Sequence, residues 1–189
     1  MAPDYDRRWA RYNERSLALL PPLLSSDPGD VLDLACGTGN LPPRLPAVRS
    51  YTGVDASLEM LGAARRKLPA TALAAADAAA LPFADARFDT VVCASAFHVF
   101  PQPERALAEV RRVLRRPGRL LLLDWSRDAL SMRALDLWLR LTGDHYRRMY
   151  TAAEATDLLR QAGFRIASAE RRRIGWPWAL MVIDATLVG

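Results

Sequence analysis

Short apolar runs alternate with amphipathic ones along this chain, and that alternation limits the folds open to it. Residues 30–36, 51–55, 71–76 and 88–97 read as strands. Leu120-Leu-Leu-Leu123, inside the strand pattern 119–125, is apolar without interruption, the mark of a strand covered on both faces. Helix patterns lie between the strands. Leu58, Leu61, Ala64 and Leu68 share a face behind a Ser57 cap. Ala106, Leu107, Val110, Val113 and Leu114 share another, between Pro103 and a stop at Pro117-Gly118. Residues 130–141 form a third helix. A fourth starts at a Thr151/Glu154 capping box and ends at Gly163. Strands separated by helices build an α/β fold, a doubly wound, mostly parallel sheet with helices on both faces. Residues 164–174 and 178–187, joined by Gly175-Trp176-Pro177, supply a last, antiparallel pair.

At 189 residues the chain is read as a single domain. Tyr5, Trp9, Tyr12 and Ser16 recur at helical spacing before Pro21-Pro22. Residues 1–22 are therefore a helix that either packs its aromatics on the core or serves as a lid over a ligand site. Of the 26 basic residues all but Lys67 are arginine, and the net charge is +5. Arginine and alanine enrichment reads as the composition of a GC-rich bacterial genome. Arg111-Arg112, Arg115-Arg116 and Arg171-Arg172-Arg173 lack interleaved stacking aromatics, which argues against nucleic acid as the partner. No apolar stretch approaches the ~20 residues of a membrane span, and the first residues have no signal-like apolar segment. Cys36 and Cys93 make neither a disulfide framework nor a metal cluster. The expectation is a cytoplasmic protein without a metal, with peripheral membrane contact left open.

The first strand runs into Val31-Leu-Asp-Leu-Ala-Cys-Gly-Thr-Gly-Asn40. Gly37 and Gly39 allow a tight turn and a close approach of a ligand to the backbone. Asp33 sits inside the strand, either bonding amides of the turn or anchoring a ligand ammonium. Asp55 ends the second strand, where a carboxylate can accept both hydroxyls of a ribose. Asp77 follows the third and can accept from an adenine amino group. A dinucleotide would require a third glycine where Pro42 stands, together with a long first helix that Pro42, Pro43 and Pro46 shorten. A ligand carrying a sulfonium, an ammonium and a ribose diol suits a pocket of acids.

These segments resemble the motifs of class I S-adenosylmethionine-dependent methyltransferases. Residues 31–39 resemble their first motif, Gly53-Val-Asp-Ala-Ser57 the second, Ala76-Asp77-Ala-Ala-Ala-Leu-Pro-Phe83 the adenine-framing segment, and residues 88–97 the fourth. Together they are similar to the ubiquinone/menaquinone-biosynthesis subgroup. The resemblance implies a seven-stranded Rossmann-like sheet of order 3-2-1-4-5-7-6. It implies S-adenosyl-L-methionine as cofactor, bordered by Gly37 and Gly39. Asp33 would lie at the methionine end, Asp55 at the ribose, and Asp77 with Ala78 at the adenine. Ala35, in place of the usual first glycine, joins Ala56 and Ser95 in the expected cofactor set.

The methyl acceptor is less constrained. His98, just after the fourth strand, is the candidate base. Tyr5, Trp9, Phe97, Trp125, His145 and Tyr146 join it as candidate pocket residues, with 126–150 as an acceptor-side insertion. So little chain outside the common fold favours a small-molecule or lipid-like acceptor over a docked macromolecule. The alternatives are a nicotinamide oxidoreductase, a nucleic-acid-modifying methyltransferase, and a nucleotide-cofactor-binding protein without catalysis.

Overall fold

Asp30–Leu34 (β1) is buried along its whole length, at the middle of the molecule. The structure is a computed structural model that describes residues 2–24, 26–142 and 146–187. β1 pairs in parallel with Ser50–Asp55 (β2) on one side and Phe88–Ala94 (β4) on the other. Ala72–Ala75 (β3) lies outside β2, and Leu114–Trp125 (β5) outside β4. Trp178–Leu187 (β7) runs antiparallel between β5 and Arg165–Gly175 (β6). The order is thus β3-β2-β1-β4-β5-β7-β6, as expected.

The leucine run of β5 shows why the sheet must be covered twice. Leu120 and Leu122 enter the core cluster that also holds Leu107 and Val110, whereas Leu121 and Leu123 enter the one that holds Tyr12 and Leu20. Each fully buried leucine contributes about 1.5–3 kcal/mol. The helices are Ala2–Leu17 (α1), Leu58–Lys67 (α2), Pro103–Val113 (α3), Leu130–Thr142 (α4) and Ala152–Gln161 (α5). Ser57 caps α2, its Oγ accepting from the Met60 amide, and the Thr151/Glu154 capping box is formed at α5.

Three boundaries differ from expectation. The prolines after Asn40 leave only a 3-10 turn, Pro42–Arg44, where a short helix was expected. β4 stops at Ala94 because Ser95 has φ +57, which turns the chain into the 3-10 turn Phe97–Val99. α3 ends at Val113, not at Pro117-Gly118. Leu114 already pairs with Phe88, and residues 115–118 form an irregularity within β5 before regular pairing resumes at Arg119.

Candidate active site

The carboxyl ends of β1 to β4 open into one cavity of about 560 Å³, within the usual range for small-ligand sites. Parallel register brings them level: Asp33 stands opposite Gly53 and Val92, and Asp55 opposite Ala75. Asp33, Ala35, Gly37, Asp55, Ala56, Asp77, Ala78, Ser95 and Tyr5, all expected in the site, line it. Gly53 leaves room for its neighbours' side chains, since a Cβ there would meet Cys36 Sγ at 2.9 Å and Leu73 Cδ2 at 2.8 Å.

The three acids have different environments. Asp55 is bound on both oxygens by backbone: Oδ2 accepts from the Gly37 amide at 2.8 Å and Oδ1 from the Ser57 amide at 2.8 Å. This ties the glycine turn to the start of α2. Each oxygen keeps a further lone pair, so a diol can still be accepted there. Asp77 Oδ1 accepts from the Ala79 amide at 2.9 Å, and the residue is exposed. Asp33 is buried and, among the described residues, accepts only from the Tyr51 hydroxyl, at 2.6 Å on Oδ2. Burial, reinforced by the charge of Asp55, raises its pKa to about 7 despite the Tyr51 hydrogen bond. Of the two readings of Asp33, bonds to amides of the turn are absent among the described residues, which leaves the ligand anchor.

Left-handed backbone at Ala35 (φ +60) and Gly37 (φ +55) folds the turn around the cavity. A Cβ on Gly37 would meet no protein atom within 4 Å, so that side of the turn is open to a ligand. Gly39 does not line the cavity. Its missing Cβ makes room for Leu68 Cδ1, 2.6 Å from the position such an atom would take, so this glycine lets α2 pack on the turn.

α1 lies across the cavity, to which it contributes Tyr5, Asn13 and Leu17. It is fastened by Lys67. The ammonium donates to Asp6 Oδ2 at 2.9 Å, Asn40 Oδ1 at 2.8 Å and Thr38 Oγ1 at 3.2 Å. Asp6 Oδ1 also accepts from Thr38 Oγ1 at 2.5 Å and Asn40 Nδ2 at 3.0 Å. Burial opposes ionisation of Asp6, but these hydrogen bonds outweigh it and hold the carboxyl below its ordinary pKa.

Behind Ser95, outside the cavity lining, lies an aromatic core cluster, and Trp9 and Trp125, expected in the acceptor pocket, pack there instead. Trp125 Nε1 donates to Tyr12 Oη at 2.8 Å, and Tyr12 Oη lies 2.8 Å from Ser95 Oγ. Burial pushes the Tyr12 phenol above its ordinary pKa, so it keeps its proton. Ser95 is the one acceptor left for that proton among the described residues, and the Ser95 hydroxyl is then free to donate into the cavity. Trp9, Tyr12, Trp125 and Trp178 pack with ring centroids 5.2–6.4 Å apart.

Apart from Tyr5, the expected acceptor residues that the structure describes do not line the cavity. Phe97 is buried in the core against Phe100 and Tyr150. His98 is not at an open strand end but buried, stacked on Trp125 at 4.2 Å and 12°. Its Nδ1 is 2.7 Å from Oδ1 of the fully buried Asp124, whose Oδ2 accepts from the His98 amide at 2.8 Å. A carboxylate only accepts, so His98 Nδ1 carries a proton toward Asp124. Tyr146 lies 6.1 Å from the His98 ring and donates to Asp136. His145 lies outside the described residues. Asn13, Met60 and Asp124 had not been expected at or beside the site, whereas Tyr12 had been read in the N-terminal helix and Arg147 in the 126–150 insertion. Asp124 ends an apolar strand as Asp33 nearly does, and that parallel is a usable signal.

The donor set fits S-adenosylmethionine. The Asp33 oxygen outside the Tyr51 hydrogen bond suits an ammonium, Asp55 suits the diol, and the open Gly37 turn leaves room. Among the described residues no group of His, Cys, Asp or Glu could hold a metal. Residues 32–122 match the methyltransferase-domain family. The chain is 41% identical over 128 residues to a demethylmenaquinone methyltransferase of Thermus thermophilus, covering 64% of this chain and 55% of that one. It is 32% identical over 139 residues to a phosphatidylethanolamine N-methyltransferase of Cereibacter sphaeroides, covering 70% and 68%. It spans about half the length of the demethylmenaquinone methyltransferases it matches. A solved S-adenosylmethionine-dependent methyltransferase of Thermotoga maritima superposes with a TM-score of 0.81 at 23% identity, over 98% of this chain and 95% of that one. With its sheet order, its acid-lined cavity and these relatives, the chain belongs to the class I S-adenosylmethionine-dependent methyltransferases.

Proposed function

We propose that this chain transfers the methyl group of S-adenosylmethionine to a small, lipid-like acceptor. The observation that carries this reading is the apolar part of the cavity wall, formed by Leu17, Leu41, Val99 and Phe100 beside the acids, with the packed rings of Tyr12 and Trp125 behind Ser95. An apolar wall suits an apolar acceptor and keeps water away from a sulfonium. Relatives named for demethylmenaquinone and for phosphatidylethanolamine support an acceptor from the lipid world.

In this reading Asp33 holds the ammonium, Asp55 the ribose, and Asp77 with Ala78 the adenine. The cofactor supplies an electrophilic methyl on a sulfonium. Most of the acceleration then comes from holding the acceptor in line, a term that can reach ~7–11 kcal/mol. Ser95 donates from its hydroxyl to a polar atom of the acceptor. His98, behind Trp125, acts as a positioning residue: Asp124 fixes its ring, and its ring fixes the indole.

The test is release of S-adenosylhomocysteine with a panel of acceptors: demethylated quinols, phosphatidylethanolamine, transfer RNA and a protein substrate mixture. Turnover with a quinol or the phospholipid is expected. Turnover with RNA or protein alone would overturn the acceptor class. No turnover with any acceptor, with the cofactor bound, would favour a binding protein without catalysis.

A further inference from the structure

α4 exposes an apolar stripe that the fold does not cover. Leu130, Leu137 and Leu141 are 80%, 62% and 77% exposed, and Trp138 beside them 59%. Positions i, i+7 and i+11 fall on one line of a helix, here about 16 Å long. The opposite face is anchored by Met132, buried with Met149, and by Asp136, which accepts from the Met149 amide. Arg133 and Arg140 flank the stripe on the side away from Trp138. The Ser131 hydroxyl donates to the Pro177 carbonyl at 2.9 Å, which fastens the first turn of α4 to the β6–β7 hairpin. At that hairpin Trp176 is 91% exposed. A groove of about 320 Å³ opens where the chain enters α4, with Arg171, Arg172 and Arg173 along one side and Ser126 and Asp128 along the other. Asp128 is already engaged by the Ser126 hydroxyl and the Ala152 amide. Arg172 pairs with Glu170, whereas Arg171 and Arg173 have no ion-pair partner among the described residues.

We propose that α4 and the β6–β7 hairpin form a docking face for an anionic lipid bilayer, with the leucine stripe and Trp176 entering the interface and Arg171 and Arg173 binding lipid phosphates. Amphipathic helices that lie in a bilayer surface combine a narrow apolar stripe, tryptophan at its border and flanking arginines. Charge selects this occupant over a second copy of the chain. Arg140 is already paired with Asp136 at 3.0 Å, but packing the stripe against itself would still bring Arg133, Arg171 and Arg173 toward their own images, whereas anionic headgroups neutralise them. The face is separate from the cofactor cavity, and the proposal does not depend on which acceptor is methylated.

The full chain is floated with vesicles of phosphatidylcholine alone and of equal parts phosphatidylcholine and phosphatidylglycerol. Selective binding to the anionic vesicles, weakened by salt, is expected. Leu137→Glu with Leu141→Glu is expected to weaken it at least tenfold. Arg171→Ala with Arg173→Ala is expected to weaken it about tenfold. Both double variants should bind S-adenosylhomocysteine as wild type does, since none of these residues lines that cavity. Brominated lipid should quench the tryptophan emission of the wild-type chain, a readout that needs no variant. Equal binding to neutral and anionic vesicles, no binding, or no quenching would overturn the proposal. So would a dimer in sedimentation that Leu137→Glu with Leu141→Glu dissociates.

Discussion

Asp124 grips His98 at two points. One carboxylate oxygen takes its backbone amide at 2.8 Å and the other faces its Nδ1 at 2.7 Å, while the imidazole lies flat on Trp125. This is how a histidine is fixed to hold something else. His98→Ala should therefore raise the acceptor KM with little change in cofactor affinity or in the pH profile of kcat/KM. A drop in kcat of about 10²–10⁴-fold, with loss of a titration, would instead make His98 the proton acceptor. Asp124→Asn turns one accepting oxygen into a donor against an amide or the ring. It should lower stability by about 1–3 kcal/mol, read by denaturant unfolding.

Asp33 links the ligand site to pH. Its pKa is about 7 in the fold against the ordinary 3.8, so the unfolded chain loses that proton first. Stability from this group is complete below pH 4 and is lost as pH rises to 7. Asp33→Asn keeps an oxygen for the Tyr51 hydroxyl. It should stabilise the ligand-free protein at pH 8 by up to about 4 kcal/mol, with the gain vanishing near pH 4. The same variant should bind S-adenosylhomocysteine more weakly, and wild-type affinity should rise between pH 6 and 8 as the carboxyl ionises. Thermal midpoints and titrations across that range check both.

Asp55→Ala should weaken S-adenosylhomocysteine binding at least tenfold. It should also destabilise the ligand-free chain by about 1–3 kcal/mol, because the Gly37 and Ser57 amides lose their acceptor. Unchanged affinity together with reduced stability would leave Asp55 with a purely structural task.

Lys67 is the sole lysine, and its three hydrogens meet three acceptors on α1 and the glycine turn. A planar guanidinium does not match that tetrahedral set. Lys67→Arg should loosen α1 and speed S-adenosylhomocysteine dissociation several-fold in stopped flow, with little change in its association rate. An unchanged dissociation rate would show that α1 does not close the cavity.

The sheet order and the cofactor end were legible because each strand carries its own chemistry: the leucines of β5, the turn after β1, and acids where β1, β2 and β3 end. The acceptor end was not. Phe97 ends the 88–97 strand pattern and His98 follows it, so sequence position alone placed them at the strand mouth. The left-handed Ser95 turns the chain and buries both. Likewise Gly39 reads as a ligand contact until Leu68 is seen beneath it. Tyr12 and Trp125 are far apart in sequence, and no local pattern reports the hydrogen bond that joins them.

Calorimetric titration of the ligand-free chain with S-adenosylhomocysteine and, separately, with a nicotinamide dinucleotide tests the assignment of the acid-lined cavity most directly. One mole of S-adenosylhomocysteine should bind per mole of chain, Asp55→Ala should weaken it at least tenfold, and the dinucleotide should give no saturable heat. Saturable binding of the dinucleotide, or S-adenosylhomocysteine binding that Asp33→Asn and Asp55→Ala both leave untouched, would contradict it.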